Sequence, residues 1–87
     1  MKINKNNISK TIKSYNRIRS PEATASLVKV KNNKLLINFN GPFCETCGVD
    51  DYFEDFVIEA EDNNLKLKIK DIQQKEDENY LVEFTLI

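Results

Sequence analysis

Apolar residues recur at two different periods along the chain, and the period separates helices from strands. Residues 4–19 and 48–61 each carry a mainly apolar stripe at helical spacing, with most of the charged residues outside it. Pro21 disfavours helical geometry at Ser20 and ends the first helix there. We predict two amphipathic helices. Their stripes consist of Ile8, Ile12, Tyr15 and Arg19, with Ile18 beside them, and of Val49, Tyr52, Phe53, Phe56, Val57 and Ala60.

Residues 23–40 have the pattern of a β-hairpin. Two segments rich in β-branched and large apolar residues flank Asn32–Asn33, and asparagine tolerates the positive φ that a tight turn requires. In the second segment Leu35, Ile37 and Phe39 share one face. Because Ser-Pro can also start a helix, a short helical turn at 21–25 is an alternative for the entry into this hairpin.

The C-terminal third predicts a second pair of strands. Residues 65–72 are predicted to be a half-buried strand, because Leu65, Leu67 and Ile69 alternate with lysines, after a turn at Asn63–Asn64. Residues 73–79 are polar and are predicted to form a solvated loop. Residues 79–87 form the last strand, with one apolar face. That face consists of Tyr80, Val82, Phe84 and Leu86.

This order of elements, α-β-β-α-β-β, predicts an α+β fold in two layers, a four-stranded sheet with two helices on one face. Residues 1–87 are expected to form a single domain. Hairpins pair neighbouring strands, but the pattern leaves open how the two hairpins meet. No run of 18 apolar residues indicates a membrane span, and the N-terminus lacks a signal-peptide pattern, so we expect a reducing, cytoplasmic location.

Charge is distributed unevenly along the chain. Residues 1–40 carry nine Lys and Arg and one acid, a net charge of +8, whereas residues 41–87 carry four Lys and thirteen acids, a net charge of −9. The simpler interpretation is that the charges lie on solvated faces of helices and strands and that their separation by sign has no function. The alternative is a dipolar surface that orients a protein partner or self-association.

The basic first helix raises the question of nucleic-acid binding. Its single aromatic residue, Tyr15, belongs to the apolar stripe, so the helix offers no platform for stacking bases. A solvated face is favoured over a nucleic-acid interface. The cations concerned are Lys5, Lys10, Lys13, Arg17 and Arg19.

Residues 41–49, GPFCETCGV, hold both cysteines of a chain that has no histidine. Cys44 and Cys47 lie between the second strand and the second helix, where a helix N-terminus stabilises a thiolate. Neighbouring carboxylates at Glu45, Asp50 and Asp51 oppose this effect, so a strongly activated nucleophile is not predicted. Three interpretations stay open: a metal or cluster site, a thiol/disulfide redox pair, and two small residues in a tight loop without a ligand.

The metal interpretation is constrained by the number of ligands. Structural zinc takes four, usually thiolates or imidazoles, and one chain supplies two thiolates. Completing the site with Asp50 and Asp51 would place hard carboxylates where soft thiolates are usual. Two chains supply four thiolates, enough for zinc or an iron–sulfur cluster shared by a dimer.

The segment RSPEATASLVKV and the later run LLINFNGPFCETCGVDDYFEDF resemble a small family of uncharacterised archaeal proteins, known chiefly from methanogens. This resemblance extends over nearly the whole chain and implies a compact α+β domain without a known activity. The region around the CxxC is also similar to the C-terminal scaffold domain of NifU-type iron–sulfur assembly proteins. That similarity implies that Cys44 and Cys47 correspond to cluster-ligating cysteines.

A further hypothesis concerns the acidic side of the second helix. Its carboxylates form an acidic face that suits a basic protein partner. Catalysis is not predicted, because the chain has no histidine, no phosphate-binding loop and no evident acid/base pair. The residues of this predicted partner-binding face are Asp50, Asp51, Glu54 and Asp55.

Overall fold

The computed structural model of the chain describes residues 5–20, 23–41, 49–76 and 79–87, with the backbone alone described at residues 49, 50 and 76. The observed order of helices and strands confirms the predicted α+β fold. No helix among the described residues is long and apolar enough to cross a membrane. The elements are α1 (Lys5–Arg19), β1 (Thr24–Lys31), β2 (Lys34–Asn40), α2 (Val49–Asp62), β3 (Leu67–Glu76) and β4 (Asn79–Leu86).

The four strands form one antiparallel sheet in the order β1-β2-β4-β3. The two hairpins therefore meet through β2 and β4, with Leu35 opposite Phe84 and Ile37 opposite Val82. All four of these side chains are buried on the face covered by the helices. The sheet's central pair thus comes from the two halves of the chain, which the sequence pattern did not specify.

The predicted loop at 73–79 is wrong in its first part, because β3 continues to Glu76. Gln73 lies opposite Leu81 and Gln74 opposite Tyr80. Edge-strand pairing uses backbone hydrogen bonds, so exposed polar side chains do not prevent it. The alternative helical turn at 21–25 is wrong for residues 24 and 25, because β1 begins at Thr24. Residues 21 and 22 lie outside the described residues.

Both asparagine turns are confirmed. Asn32 has a φ of 52° between β1 and β2, and Asn64 has a φ of 63° after α2. The α2 terminus is a Schellman motif, because the Leu65 amide donates to the Ala60 carbonyl at 2.9 Å and the Asn64 amide donates to the Glu61 carbonyl at 3.1 Å. Leu65 is buried, which attaches the end of α2 to the core.

The core lies between the two helices and the sheet, and aromatic rings occupy its centre. The Phe39 ring of β2 lies within 6.2 Å, centroid to centroid, of rings from α1, α2 and β4. The predicted stripes supply most of this core, but the position of Ile18 was wrong: it is 63% exposed. The largest fully buried side chains are Tyr15, Phe39, Phe53, Phe56, Phe84, Ile8, Leu35, Ile37, Leu67, Val82 and Thr11.

Candidate functional site

The predicted metal ligands Cys44 and Cys47 lie outside the described residues, as does the side chain of Asp50. The described chain shows where their segment is attached. Gly41 is buried directly after β2 and has a φ of 148°, and Val49 begins α2. The two thiols therefore belong to the connection between a central strand and a core helix. Within the described ranges, no group of three or more His, Cys, Asp or Glu side chains forms a metal-binding cluster.

A polar cluster joins α1 to α2, and we call its four residues, Tyr15, Arg19, Tyr52 and Asp55, the inter-helix cluster. An Arg19 Nη2 hydrogen is donated to Asp55 Oδ2 in an ion pair. The same guanidinium lies 5.0 Å from the centroid of the Tyr52 ring, within the range of a cation–π contact. The Tyr15 hydroxyl donates to the Tyr52 backbone carbonyl at 3.0 Å. The cluster fixes how the two helices lie against each other.

Tyr15 is the buried member of this cluster, and its surroundings favour the neutral phenol. Burial raises the pKa of the Tyr15 hydroxyl well above its ordinary value. The Arg19 guanidinium acts in the opposite direction, and the Tyr52 hydroxyl adds a smaller upward contribution. Desolvation outweighs the nearby cation, so Tyr15 remains a hydrogen-bond donor across the physiological pH range.

A shallow groove on the outer surface of the helices lies directly over the inter-helix cluster. It encloses about 130 Å³ and is lined by Tyr15, Arg19, Asp55 and Glu59, together with Ile18 and Ile58. Ile18 is 63% exposed and Ile58 is 57% exposed. Two β-branched apolar side chains thus stand in solvent on opposite sides of one groove, surrounded by charged residues. We call this groove and the exposed charges beside it the helical surface.

The helical surface is divided by sign of charge. Helix α1 contains five cations and no acid, and α2 contains seven acids and no cation. Asp51 and Glu54 are exposed, as are Lys13 and Arg17 on the neighbouring helix. Of the four predicted partner-binding residues, Asp51 and Glu54 present exposed carboxylates to solvent. Asp55 is half-buried and its carboxylate pairs with Arg19, and the side chain of Asp50 lies outside the described residues.

The opposite face of the sheet is polar and carries lysines near the β1–β2 turn. Lys31 and Lys34 lie directly opposite each other across the two strands. With Lys29, Leu36 and Glu83 they line a cavity of about 150 Å³. Both lysines are exposed, and they provide a charged surface well separated from the helices by the core.

Sequence reasoning assigned Arg19 to the apolar stripe and did not single out Ile58. Arg19 instead reaches across to α2, and its Nε is buried without a hydrogen-bond acceptor among the described residues. Ile58 lies among acids outside the apolar stripe of α2. The sequence signal for Ile58 was an isoleucine within a charged helical face. Its part in a groove is seen only in the structure, where Ile18 of α1 lines the same groove.

Comparisons of the chain with protein-family models, with curated proteins and with solved structures found no match. The resemblances to an archaeal family and to the NifU-type scaffold domain therefore remain predictions.

Proposed function

We propose that this protein is a non-enzymatic interaction module that binds a basic protein segment through the acidic side of α2. The observation that carries the proposal is the exposed row formed by Asp51, Glu54 and Ile58. These residues follow the i, i+3, i+7 spacing, so they lie along one side of the helix. An apolar side chain bordered by carboxylates is suited to a partner that presents cations around an apolar contact.

Helix α2 is electrostatically unfavourable when it has no partner. Asp51, Asp55 and Glu59 follow one another at i, i+4 spacing, and a like-charge pair of this kind destabilises a helix by about 0.2–0.5 kcal/mol. The ion pair with Arg19 offsets part of this repulsion at Asp55 and, among the described residues, leaves Asp51 without such a partner. Glu61 and Asp62 occupy the last turn, where no cation balances the negative end of the helix dipole. A bound cationic segment would relieve both effects, which supports partner binding over a merely solvated face.

The test uses a defined probe, an amphipathic helical peptide composed of lysine, leucine and alanine. We expect it to bind saturably, with amide shifts in NMR spectra confined to α2 and the groove. Binding should weaken at least about tenfold when sodium chloride is raised from about 50 to about 500 mM, because exposed charges are screened. Reversal of two exposed charges, Asp51→Lys with Glu54→Lys, should abolish it.

Two controls accompany this experiment. A peptide in which every lysine is replaced by glutamate should not bind. The protein variant Lys31→Glu with Lys34→Glu, which alters two charges on the opposite face of the sheet, should bind the basic peptide no more weakly than the unaltered chain. Shifts spread over the sheet, or equal binding by the Asp51→Lys/Glu54→Lys variant, would contradict the proposal.

We propose, as a second function, that Cys44 and Cys47 contribute to a zinc or iron–sulfur site shared by two chains. The specific observation in its favour is a CxxC on the connection between a buried Gly41 and the start of α2. Two thiolates per chain and no histidine leave a second chain as the source of the remaining soft ligands. A metal held there would add a metal-dependent contact between the two chains.

Metal analysis of protein purified without oxygen tests this second proposal. We expect about one zinc ion or one cluster per dimer, together with the loss of metal in the variant Cys44→Ser with Cys47→Ser. Alkylation of the thiols should be slow until a chelator is added. A protein that takes up neither zinc nor iron would contradict the proposal, and formation of an intrachain disulfide on mild oxidation would then favour redox chemistry.

A further inference from the structure

We propose that the partner of the helical surface is a second copy of this chain, with α1 of each copy lying on α2 of the other. This inference rests on the proposed interaction function and names its partner. The surface carries a basic half and an acidic half side by side, with a groove between them. A two-fold axis along that groove sets each half against its opposite.

Charge complementarity supports a second copy in particular. The exposed Lys13 and Arg17 of α1 are spaced at i, i+4 and repel each other within one chain. On α2 the corresponding exposed acids are Asp51 and Glu54. The structure records one ion pair between the helices among the described residues, that of Arg19 with Asp55, so the exposed charges are left for contacts outside the chain.

The centre of the helical surface is apolar and is also compatible with a two-fold axis. Ile18 and Ile58 lie on opposite sides of the groove, and each exposes more than half of its surface. A rotation about the groove exchanges the two sides, so Ile18 of one copy approaches Ile58 of the other. An apolar centre within a charged rim is the usual arrangement of a protein interface.

An unrelated partner would have to match both halves of this surface, whereas a second copy does so automatically. A purely basic segment can cover α2 but leaves α1, whose charges are all positive, without a complementary contact. The isologous dimer neutralises both helices and leaves the inter-helix cluster intact. The charge pattern of the helical surface therefore favours a second copy as the partner and favours the orientation in which α1 lies on α2.

The experiment compares two charge variants, alone and mixed. Variant A carries Lys13→Glu with Arg17→Glu, and variant B carries Asp51→Lys with Glu54→Lys. Analytical ultracentrifugation and native mass spectrometry should find the unaltered chain dimeric at low salt and each variant at least about tenfold weaker in self-association. An equimolar mixture should form the A–B heterodimer, because both of its helix contacts are again complementary.

Controls separate this dimer from folding defects and from metal. Circular dichroism should show native helix content in both variants, and Lys31→Glu with Lys34→Glu should dimerise as the unaltered chain does. The dimer should persist with a chelator and with Cys44→Ser and Cys47→Ser. Ile18→Ser with Ile58→Ser should weaken it without changing its salt dependence.

Three results would overturn the inference: a monomer at all accessible concentrations, no heterodimer in the mixture, or a dimer lost on removal of the thiols. In each case the peptide experiment decides separately on the interaction module. Retained binding of the lysine peptide to α2 would leave the proposed function standing with a different partner. Loss of peptide binding as well would overturn both.

Discussion

Replacement of Phe39 by alanine is expected to lower the free energy of unfolding by about 3–5 kcal/mol. The Phe39 ring contacts Tyr15 and Phe56 at 5.5 Å, Phe53 at 4.9 Å and Phe84 at 6.2 Å, all between centroids. These rings belong to α1, α2 and β4, so one truncation removes contacts between both helices and the sheet. Domains of this size have about 5–15 kcal/mol of stability in total, and the variant should be close to unfolding.

Urea or thermal unfolding monitored by circular dichroism measures this effect, with Leu36→Ala as the matched control. Leu36 lies on the same strand but points to the open face of the sheet and is half-buried. Its truncation should lower the free energy of unfolding by no more than about 1 kcal/mol, because little apolar surface is returned to water. Equal losses for the two variants would contradict the assignment of the helix-covered face.

The second large effect is a loss of stability in alkaline solution that depends on Tyr15. Burial raises the pKa of its phenol above the unfolded value near 10, so the contribution of neutral Tyr15 is fully present below about pH 10. As pH rises further the unfolded chain releases a proton that the folded chain retains. The free energy of unfolding should then fall by up to about 1.4 kcal/mol per pH unit from this residue.

Guanidinium unfolding at several pH values between about 7 and 11 measures this slope, and Tyr15→Phe provides the comparison. The phenylalanine variant should be less stable by about 1 kcal/mol at neutral pH, because the hydrogen bond to the Tyr52 carbonyl is lost. Its alkaline slope should be shallower than that of the unaltered chain. Deprotonation of lysines affects both proteins alike and cancels in the difference. Parallel slopes would show that Tyr15 does not titrate as its burial requires.

Phe39 and Tyr15, the residues behind both large effects, are buried in the core beneath the helical surface. Tyr15, the buried member of the inter-helix cluster, packs edge to face on Phe56 with 5.5 Å between ring centroids. The helices are therefore held in place from below by the core and from the side by Arg19 and Asp55. Contacts that hold the two helices together in the free protein reduce the ordering required when a partner binds across Ile18 and Ile58.

The elements themselves were predictable because each is encoded by a local period. Leu35, Ile37 and Phe39 alternate and share the buried face, and Phe53, Phe56 and Ala60 recur at helical spacing and are likewise buried. The asparagine turns followed from the backbone freedom of that residue. Such features depend on neighbours a few positions away, so the sequence alone determined them.

Tertiary structure decided the features that depend on distant partners. The pairing of β2 with β4 joins residues that are 39 positions apart at Asn40 and Asn79 and 51 positions apart at Lys34 and Thr85. Nothing in either hairpin specifies which edge the other will meet. The polar residues Gln73 and Gln74 became strand because β4 offered them backbone hydrogen bonds. Side-chain pattern reports which face is buried, whereas strand pairing is a property of the backbone.

The candidate sites divide in the same way. The sequence by itself determined that Cys44 and Cys47, with no histidine in the chain, are too few soft ligands for a complete four-ligand site in one chain. It also predicted that the acids lie on one side of α2. The ion pair between Asp55 and Arg19 forms because α1 packs beside α2. The same packing places Ile18 and Ile58 on one groove. A helical period fixes angles around one axis, but contacts between two helices depend on how both dock on the same core.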